Sequence, residues 1–238
     1  MKVRLGSVSL VTALVLGAAS LAAAEESDDM APSFDHALTA PAHAFELTVG
    51  AGYSHGTGDI SSKGARLQDV QGAGATVDLK LGYRFSGTFG FGVYGSFTRS
   101  SAGDSLADGT DVSGATAGLF ADWHFRADRS TDPWIGLASG WRGLWLSPET
   151  GKTSGFQGWE IVRLTAGIDY RITRAVAMGP FLGFSVNTFL SENTPDTDGY
   201  RAVDGPRPDV FFFAGLEGRF DIGGDRAPPI IHAEQARN

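Results

Sequence analysis

The sequence has no cysteine, and after its first 24 residues it has no run of apolar residues long enough for a membrane-spanning helix. The absence of cysteine excludes a disulfide framework, a thiolate metal site, a lipidated cysteine and a cysteine nucleophile. Basic residues are also in deficit, because 19 Lys and Arg stand against 27 Asp and Glu, which gives a net charge of −8. Nucleic-acid binding requires a clustered basic face, so we expect no nucleic-acid partner.

Glycine is abundant, with 33 glycines in 238 residues, about twice the usual share of ~7%. The glycines follow no Gly-X-Y period, and the 10 prolines are an ordinary number. Neither a collagen nor a disordered linker fits this composition. The glycines are therefore expected inside ordered structure, in a chain whose length suits one domain or at most two.

The first 24 residues have the features of a secretory signal peptide. Lys2 and Arg4 precede an uncharged apolar run, and Ala22, Ala23 and Ala24 form a small-residue cleavage site. An N-terminal membrane anchor is the alternative, but the small residues and the cleavage site favour removal. Losing Lys2 and Arg4 changes the net charge from −8 to −10. Residues 25–43 show no periodicity and are predicted to be a periplasmic lead-in segment.

From Ala44 onward, apolar residues recur at every second position in eight runs. These runs lie at residues 45–54, 73–85, 89–98, 114–126, 135–145, 162–172, 176–187 and 210–221. Alternation at 180° per residue over ten or more positions indicates a β-strand, and no 3.6-residue period competes with it.

The spacers between the runs alternate between long and short. An up-and-down meander places all the long loops on one side. The sequence thus predicts an all-β protein: an eight-stranded antiparallel up-and-down transmembrane β-barrel over residues 44–222, followed by a periplasmic tail at 223–238. Strands of about ten residues cross an outer membrane, and an even strand number places both termini on the periplasmic side.

A soluble barrel with its apolar face inward is the alternative. Three features favour the membrane barrel: the glycines fall mostly on the polar face, the strands are long for a soluble sheet, and aromatic residues lie near the run ends. Such aromatic girdles mark membrane interfaces. The predicted girdle comprises Tyr53, Tyr83, Phe85, Trp123, Phe125, Trp141, Trp145, Tyr170 and Phe220.

This pattern resembles the small outer-membrane barrels of the OmpA, OmpX and OmpW type. The segment from Gly215 to Phe220, with glycines and alternating hydrophobic residues ending in an aromatic, is similar to the last-strand insertion signal of that family. Members usually end at that aromatic, whereas here 16 residues follow Ile222. The resemblance implies an integral protein of the bacterial outer membrane, in contact with its lipids and lipopolysaccharide and with the barrel-assembly machinery. We expect a monomer.

The polar face of the predicted strands carries seven cations and six carboxylates. Buried charges must pair, so near-equality predicts cross-lumen ion pairs that fill the barrel. The candidate residues are Glu46, Asp78, Lys80, Arg84, Asp122, Arg126, Arg142, Arg163, Asp169, Arg171, Glu217, Arg219 and Asp221. Phenylalanines at 120, 181, 189, 211 and 213 share this face and favour a plugged lumen.

Catalysis on a small barrel requires a nucleophile, a base and a carboxylate that share one face. Ser54, His55 and Asp59 are the nearest candidates, but adjacent strand residues point to opposite faces. We therefore predict no enzyme, no cofactor and no metal site. The predicted function is a structural or surface-interaction role in the outer membrane; a porin-like small-solute channel is the alternative, and a lipid-modifying enzyme is a distant third.

Overall fold

The computed structural model describes residues 38–64, 66–107, 109–195 and 199–225. The predicted signal peptide and most of the lead-in and tail segments lie outside the described residues. Eight long strands form the barrel: β1 (Ala44–Gly58), β2 (Gln71–Ser86), β3 (Phe89–Ala102), β4 (Asp111–His124), β5 (Thr131–Ser147), β6 (Ser154–Arg171), β7 (Val176–Asn193) and β8 (Pro208–Ile222). A short helix, α1 (Leu67–Val70), lies between β1 and β2.

Each barrel strand pairs antiparallel with its neighbours in sequence, and β8 pairs with β1 to close the barrel. A two-residue strand, Arg201–Ala202, adds to the end of β7. The predicted fold class, an eight-stranded antiparallel up-and-down barrel, is confirmed. No helix in the described ranges is long and apolar enough to span a membrane.

Most strands extend beyond the predicted runs at the long-loop end. β1 continues to Gly58 and β6 begins at Ser154, whereas the alternation fades after Ser54 and before Val162. Backbone pairing continues in these extensions with partners such as Asp209 for Gly58 and Asn193 for Gly155. Backbone hydrogen bonds do not require an apolar outer face, so hydropathy alone underestimated these strand lengths.

Glycine allows close backbone contact inside the narrow barrel. Gly118 of β4 pairs directly with Gly140 of β5. A Cβ atom added to Gly118 would lie 2.1 Å from the carbonyl oxygen of Ser139, too close for any side chain. The close approach of β4 and β5 at this pair therefore requires glycine on both strands.

The outer wall carries the apolar face. Leu79, Leu119 and Leu182 are 39%, 66% and 64% exposed, whereas the alternate positions on the same strands point into the barrel. A closed sheet satisfies its backbone hydrogen bonds without water, so such a wall is compatible with lipid on every side. A soluble barrel with an apolar interior is therefore excluded by the orientation of the faces.

Aromatic residues form a continuous row at the short-turn end of β1 to β4. Phe45 contacts Tyr83, and Tyr83 contacts Phe85, with ring centroids 5.3 and 5.0 Å apart. Phe89 extends the row to Trp123 at 5.2 Å. Of the other predicted girdle residues, Tyr53, Phe125 and Tyr170 are exposed, and Trp141 and Trp145 are half-buried and 5.9 Å apart.

Phe220 does not form part of an exposed girdle. It is only 7% exposed, and its ring lies beside Gly218, where a Cβ atom would sit 3.6 Å from the ring. Because glycine has no side chain, the ring folds onto the barrel wall next to it. The prediction that Phe220 belongs to the aromatic girdle was wrong.

Candidate functional site

The inner face of the barrel is the part of the molecule with the most developed polar chemistry. Twelve of the thirteen predicted lumen charges are buried or nearly so, with Lys80 the least covered at 12% side-chain exposure. The exception is Arg126, which is exposed, because β4 ends at His124 and Arg126 lies in the turn. Its inclusion among the lumen charges was wrong.

Arg219 is the centre of the network. Its side chain is fully buried, with Nε donating to Asp169 Oδ2 at 2.8 Å and Nη2 to Glu217 Oε1 at 2.9 Å. Nη1 donates to Glu46 Oε1 and lies 3.6 Å from Asp122 Oδ2. Guanidinium is planar and always charged, so it can hold several carboxylates at once. One side chain of β8 thereby joins β1, β4 and β6 across the lumen.

Two further arginines continue this cluster at the short-turn end. Arg84 of β2 donates to Glu46 Oε2 at 2.6 Å, and Arg171 of β6 donates to Asp221 Oδ2 at 2.7 Å. Arg84 Nε also lies 3.6 Å from Asp221 Oδ1. We call the eight residues that meet here the Arg219 cluster: Glu46, Arg84, Asp122, Asp169, Arg171, Glu217, Arg219 and Asp221.

A second group of charges lies closer to the long loops. Arg163 of β6 donates to Asp78 of β2 at 2.6 Å. Arg142 of β5 lies 3.7 Å from Glu160 Oε1, and the Tyr94 hydroxyl donates to Glu160 Oε2. The contacts of Arg163 with Asp78 and of Tyr94 with Glu160 cross the lumen between strands that are not neighbours in the sheet, whereas Arg142 and Glu160 lie on the paired strands β5 and β6.

Aromatic side chains occupy the space between the charges. Arg142 stacks on Phe211 at 3.4 Å, and Arg163 lies 4.1 Å from the ring of Phe213. Lys80 lies 4.7 Å from the Trp134 ring and donates to Asp122 at 3.0 Å. Such cation–π contacts gain strength where water is excluded. The inward phenylalanines therefore pack against the ion pairs.

The long-loop end of the lumen is closed by an apolar cluster. Seven buried residues form it, two of which come from the β1–β2 connection: Ile60, Leu67, Val112, Leu144, Leu146, Phe189 and Phe211. Leu67 of α1 is fully buried. The short helix thus inserts an apolar side chain into the mouth of the barrel.

A small cavity remains between the two groups of charges. Its volume is about 20 Å³, and Asp78, Lys80, Tyr94 and Glu217 are among its lining residues. A cavity of this size holds one or two water molecules. It is far below the space that a solute needs.

The balance of lumen charges differs from the prediction of seven cations and six carboxylates. Without Arg126 there are six cations, and three carboxylates that were not predicted, Asp132, Glu160 and Asp209, are buried beside the other six. Uncharged donors form hydrogen bonds with some of these carboxylates. Trp134 Nε1 donates to Asp169 at 3.1 Å, and the backbone N–H of Arg126 donates to Asp132 at 2.9 Å.

These three carboxylates were missed in the sequence for different reasons. Asp132 and Asp209 lie just before the apolar runs and are in phase with the inward positions, so extending the alternation outward would have found both. Glu160 was hidden by a bulge, because the register shifts between Glu160 and Val162. Both Glu160 and Arg163 therefore point inward although they are three residues apart.

His124 lies inside the barrel at the short-turn end. Its Nδ1 atom is 2.8 Å from Asp132 Oδ2, and both side chains are 1% exposed. The pair links the end of β4 to the start of β5 inside the barrel.

The three candidates for a catalytic group are not assembled. Ser54 is buried, His55 is on the other side of β1, and Asp59 accepts a hydrogen bond from Arg207 at 3.4 Å. In the described ranges, no three His, Asp or Glu side chains are grouped so that they could hold a metal ion.

The β1–β2 and β7–β8 loops are tied together at the outer surface. Ser62 N–H donates to Gly205 O at 2.9 Å, and Arg207 N–H donates to Ile60 O at 3.2 Å. Lys63 Nζ donates to Asp204, and this hydrogen bond lowers the pKa of Asp204. We call the paired segments 60–63 and 204–207 the loop clasp.

Comparison with solved structures identifies proteins that share this fold. The chain is similar to the crystal structure of Neisserial surface protein A, at 17% identity and a TM-score of 0.50, over 75% of this chain and 97% of that chain. The fold is that of the small outer-membrane barrels. Lower scores relate it to OprG from Pseudomonas aeruginosa (16% identity, TM-score 0.46, 77% and 99% covered). Ail, the attachment invasion locus protein of Yersinia pestis, is similar at 16% identity and a TM-score of 0.44, over 75% and 99%.

No protein-family model and no curated protein matches the sequence. The solved structures confirm the predicted resemblance to the OmpA, OmpX and OmpW type as a likeness of fold.

Proposed function

We propose that this chain is a closed barrel of the bacterial outer membrane with a structural or surface-interaction role. The observation that carries the proposal is the Arg219 cluster, in which one buried guanidinium bridges carboxylates from β1, β4, β6 and β8 itself. Charges paired across the lumen in this way occupy the path that a solute would take, and the apolar cluster adds a second barrier above them.

The loop clasp supports a surface role. Backbone hydrogen bonds hold the β1–β2 and β7–β8 loops against each other, so the two loops present one fixed shape to a binding partner. A surface that is already ordered loses less conformational entropy on binding. In the proposed orientation both termini are periplasmic and the clasp faces the outside of the cell, beside lipopolysaccharide. The barrel functions as a monomer and is inserted by the barrel-assembly machinery.

The runner-up function is a small-solute channel. It would be favoured by a lumen of one charge sign, and the excess of carboxylates over cations points in that direction. The ion pairs and the apolar cluster oppose it. A lipid-modifying enzyme finds no support in the arrangement of Ser54, His55 and Asp59.

Single-channel recording separates the closed barrel from the channel. We expect the purified protein to insert into planar bilayers without stable openings, with a trimeric porin as the positive control. Reproducible openings on the order of several hundred picosiemens would contradict the closed lumen and establish the channel.

A further inference from the structure

Most exposed cations at the long-loop end of the barrel have a carboxylate partner, with Lys152, which donates to the carbonyl oxygen of Pro195, as the exception, whereas the exposed arginines at the short-turn end have none among the described residues. At the long-loop end, Lys63 pairs with Asp204, Arg66 and Arg207 with Asp59, Arg99 with Asp111, and Arg201 with Glu192. At the short-turn end, Arg126, Arg129 and Arg174 are exposed. Across residues 38–64, 66–107, 109–195 and 199–225, no carboxylate oxygen lies within 4.0 Å of these three guanidinium groups.

These three arginines belong to one patch. The β4–β5 turn carries Arg126 and Arg129, and the β6–β7 turn carries Arg174. The two turns are adjacent, because Arg171 N–H donates to Ser130 O at 2.7 Å and Thr131 pairs with Tyr170. Asp128 is the one acid in these two turns. We call Arg126, Arg129 and Arg174 the turn patch.

The turn patch borders the apolar wall of the barrel. Phe125, Tyr170 and Ile172 next to it are 61%, 49% and 57% exposed. Exposed aromatic and aliphatic side chains beside arginines are typical of a membrane interface, where the rings lie at headgroup level and the long cationic side chains extend to the polar side. This position places the guanidinium groups at the level of lipid phosphates.

We propose that the turn patch binds the phosphate of an anionic phospholipid headgroup in the leaflet at the short-turn end. Guanidinium donates two parallel hydrogen bonds to phosphate, which makes arginine well suited to this ligand. Each arginine near an anionic lipid surface contributes about a fivefold preference for anionic over neutral lipid. The inference rests on the proposed insertion in a membrane, but it does not depend on whether the lumen conducts.

The other possible occupant is a segment of the chain itself. Residues 25–37 carry five acids, Glu25, Glu26, Asp28, Asp29 and Asp35, and lie outside the described residues. The exposed apolar residues at 125, 170 and 172 favour the phospholipid, because a lipid covers the rings and the guanidinium groups together, whereas an acidic segment pairs only with the charges.

The test compares two triple variants of the protein purified from the outer membrane of a Gram-negative host. Arg126→Gln, Arg129→Gln and Arg174→Gln together remove the turn patch. The control variant combines Arg66→Gln, Arg99→Gln and Arg201→Gln, which remove the same charge at the other end, where each arginine has a carboxylate partner. Association of spin-labelled phosphatidylglycerol is measured against phosphatidylcholine in reconstituted vesicles, and strand content is checked by circular dichroism.

We expect the unmodified protein to prefer phosphatidylglycerol about fivefold or more. The turn-patch variant should lose this preference, and the control variant should keep it. An equal loss in both variants, or no loss in the turn-patch variant, would overturn the proposal. A preference that appears only after deletion of residues 25–37 would also overturn it and assign the patch to the acidic segment. Failure of the closed-barrel proposal would appear instead as conductance.

Discussion

Replacing Arg219 with methionine is expected to lower the free energy of unfolding by about 3–5 kcal/mol. The substitution leaves Asp169 and Glu217 as buried carboxylates without a paired cation, and it leaves Glu46 with Arg84 as its one remaining cation among the described residues. A buried charge without a partner destabilises the folded state by far more than the ion pair had stabilised it, because no protein group replaces the hydration that the charge lost on folding. The measurement is a urea titration in lipid vesicles, followed by the gel-mobility difference between folded and unfolded barrel.

Arg201→Met is the matched control for this substitution. Arg201 pairs with Glu192 at 3.0 Å, but its side chain is 58% exposed. A pair exposed to solvent contributes about 0–1 kcal/mol. Arg219→Lys keeps the charge but not the fork of donors, so its effect should fall between the two. Equal small losses for Arg219→Met and Arg201→Met would mean that the lumen is wet and its charges unpaired.

Leu79→Arg is expected to cost about 2–4 kcal/mol of folding free energy in a bilayer. Leu79 lies midway along β2 and is 39% exposed on the outer wall. A cation at this depth must be desolvated or must thin the bilayer around it. The same urea titration in vesicles measures the cost.

Ile172→Arg serves as the control at the rim. Ile172 is 57% exposed and follows the last residue of β6, so a cation there reaches the headgroups. Its cost should be about 0–1 kcal/mol. Equal costs at the two positions would contradict the assignment of the outer wall to lipid.

The strand number and the orientation of the two faces could be predicted because they depend on a local rule. Side chains alternate along a strand regardless of what the rest of the chain does. Glu46, Asp78 and Arg163 were therefore assigned to the inner face from their position in the alternation alone, and all three are buried.

Other features of the site depend on structure that the alternation does not contain. Arg126 follows the pattern of β4, yet β4 ends at His124 and the chain turns before reaching it. Glu160 breaks the pattern because a bulge changes the phase of β6. Alternation also cannot show which charges meet, because the contacts of Arg219 join strands that are distant in sequence.

Reaction of single cysteines with a water-soluble methanethiosulfonate tests the closed lumen most directly, because the chain has no cysteine of its own. Thr116→Cys places a thiol on the inner face of β4, where Thr116 is 4% exposed, and Ser105→Cys places one in an exposed loop. We predict that the Ser105→Cys protein reacts within the mixing time and that the Thr116→Cys protein stays unlabelled until it is unfolded. Labelling of Thr116→Cys in the folded barrel at a rate comparable to that of Ser105→Cys would show a continuous aqueous path and contradict the closed, ion-paired lumen.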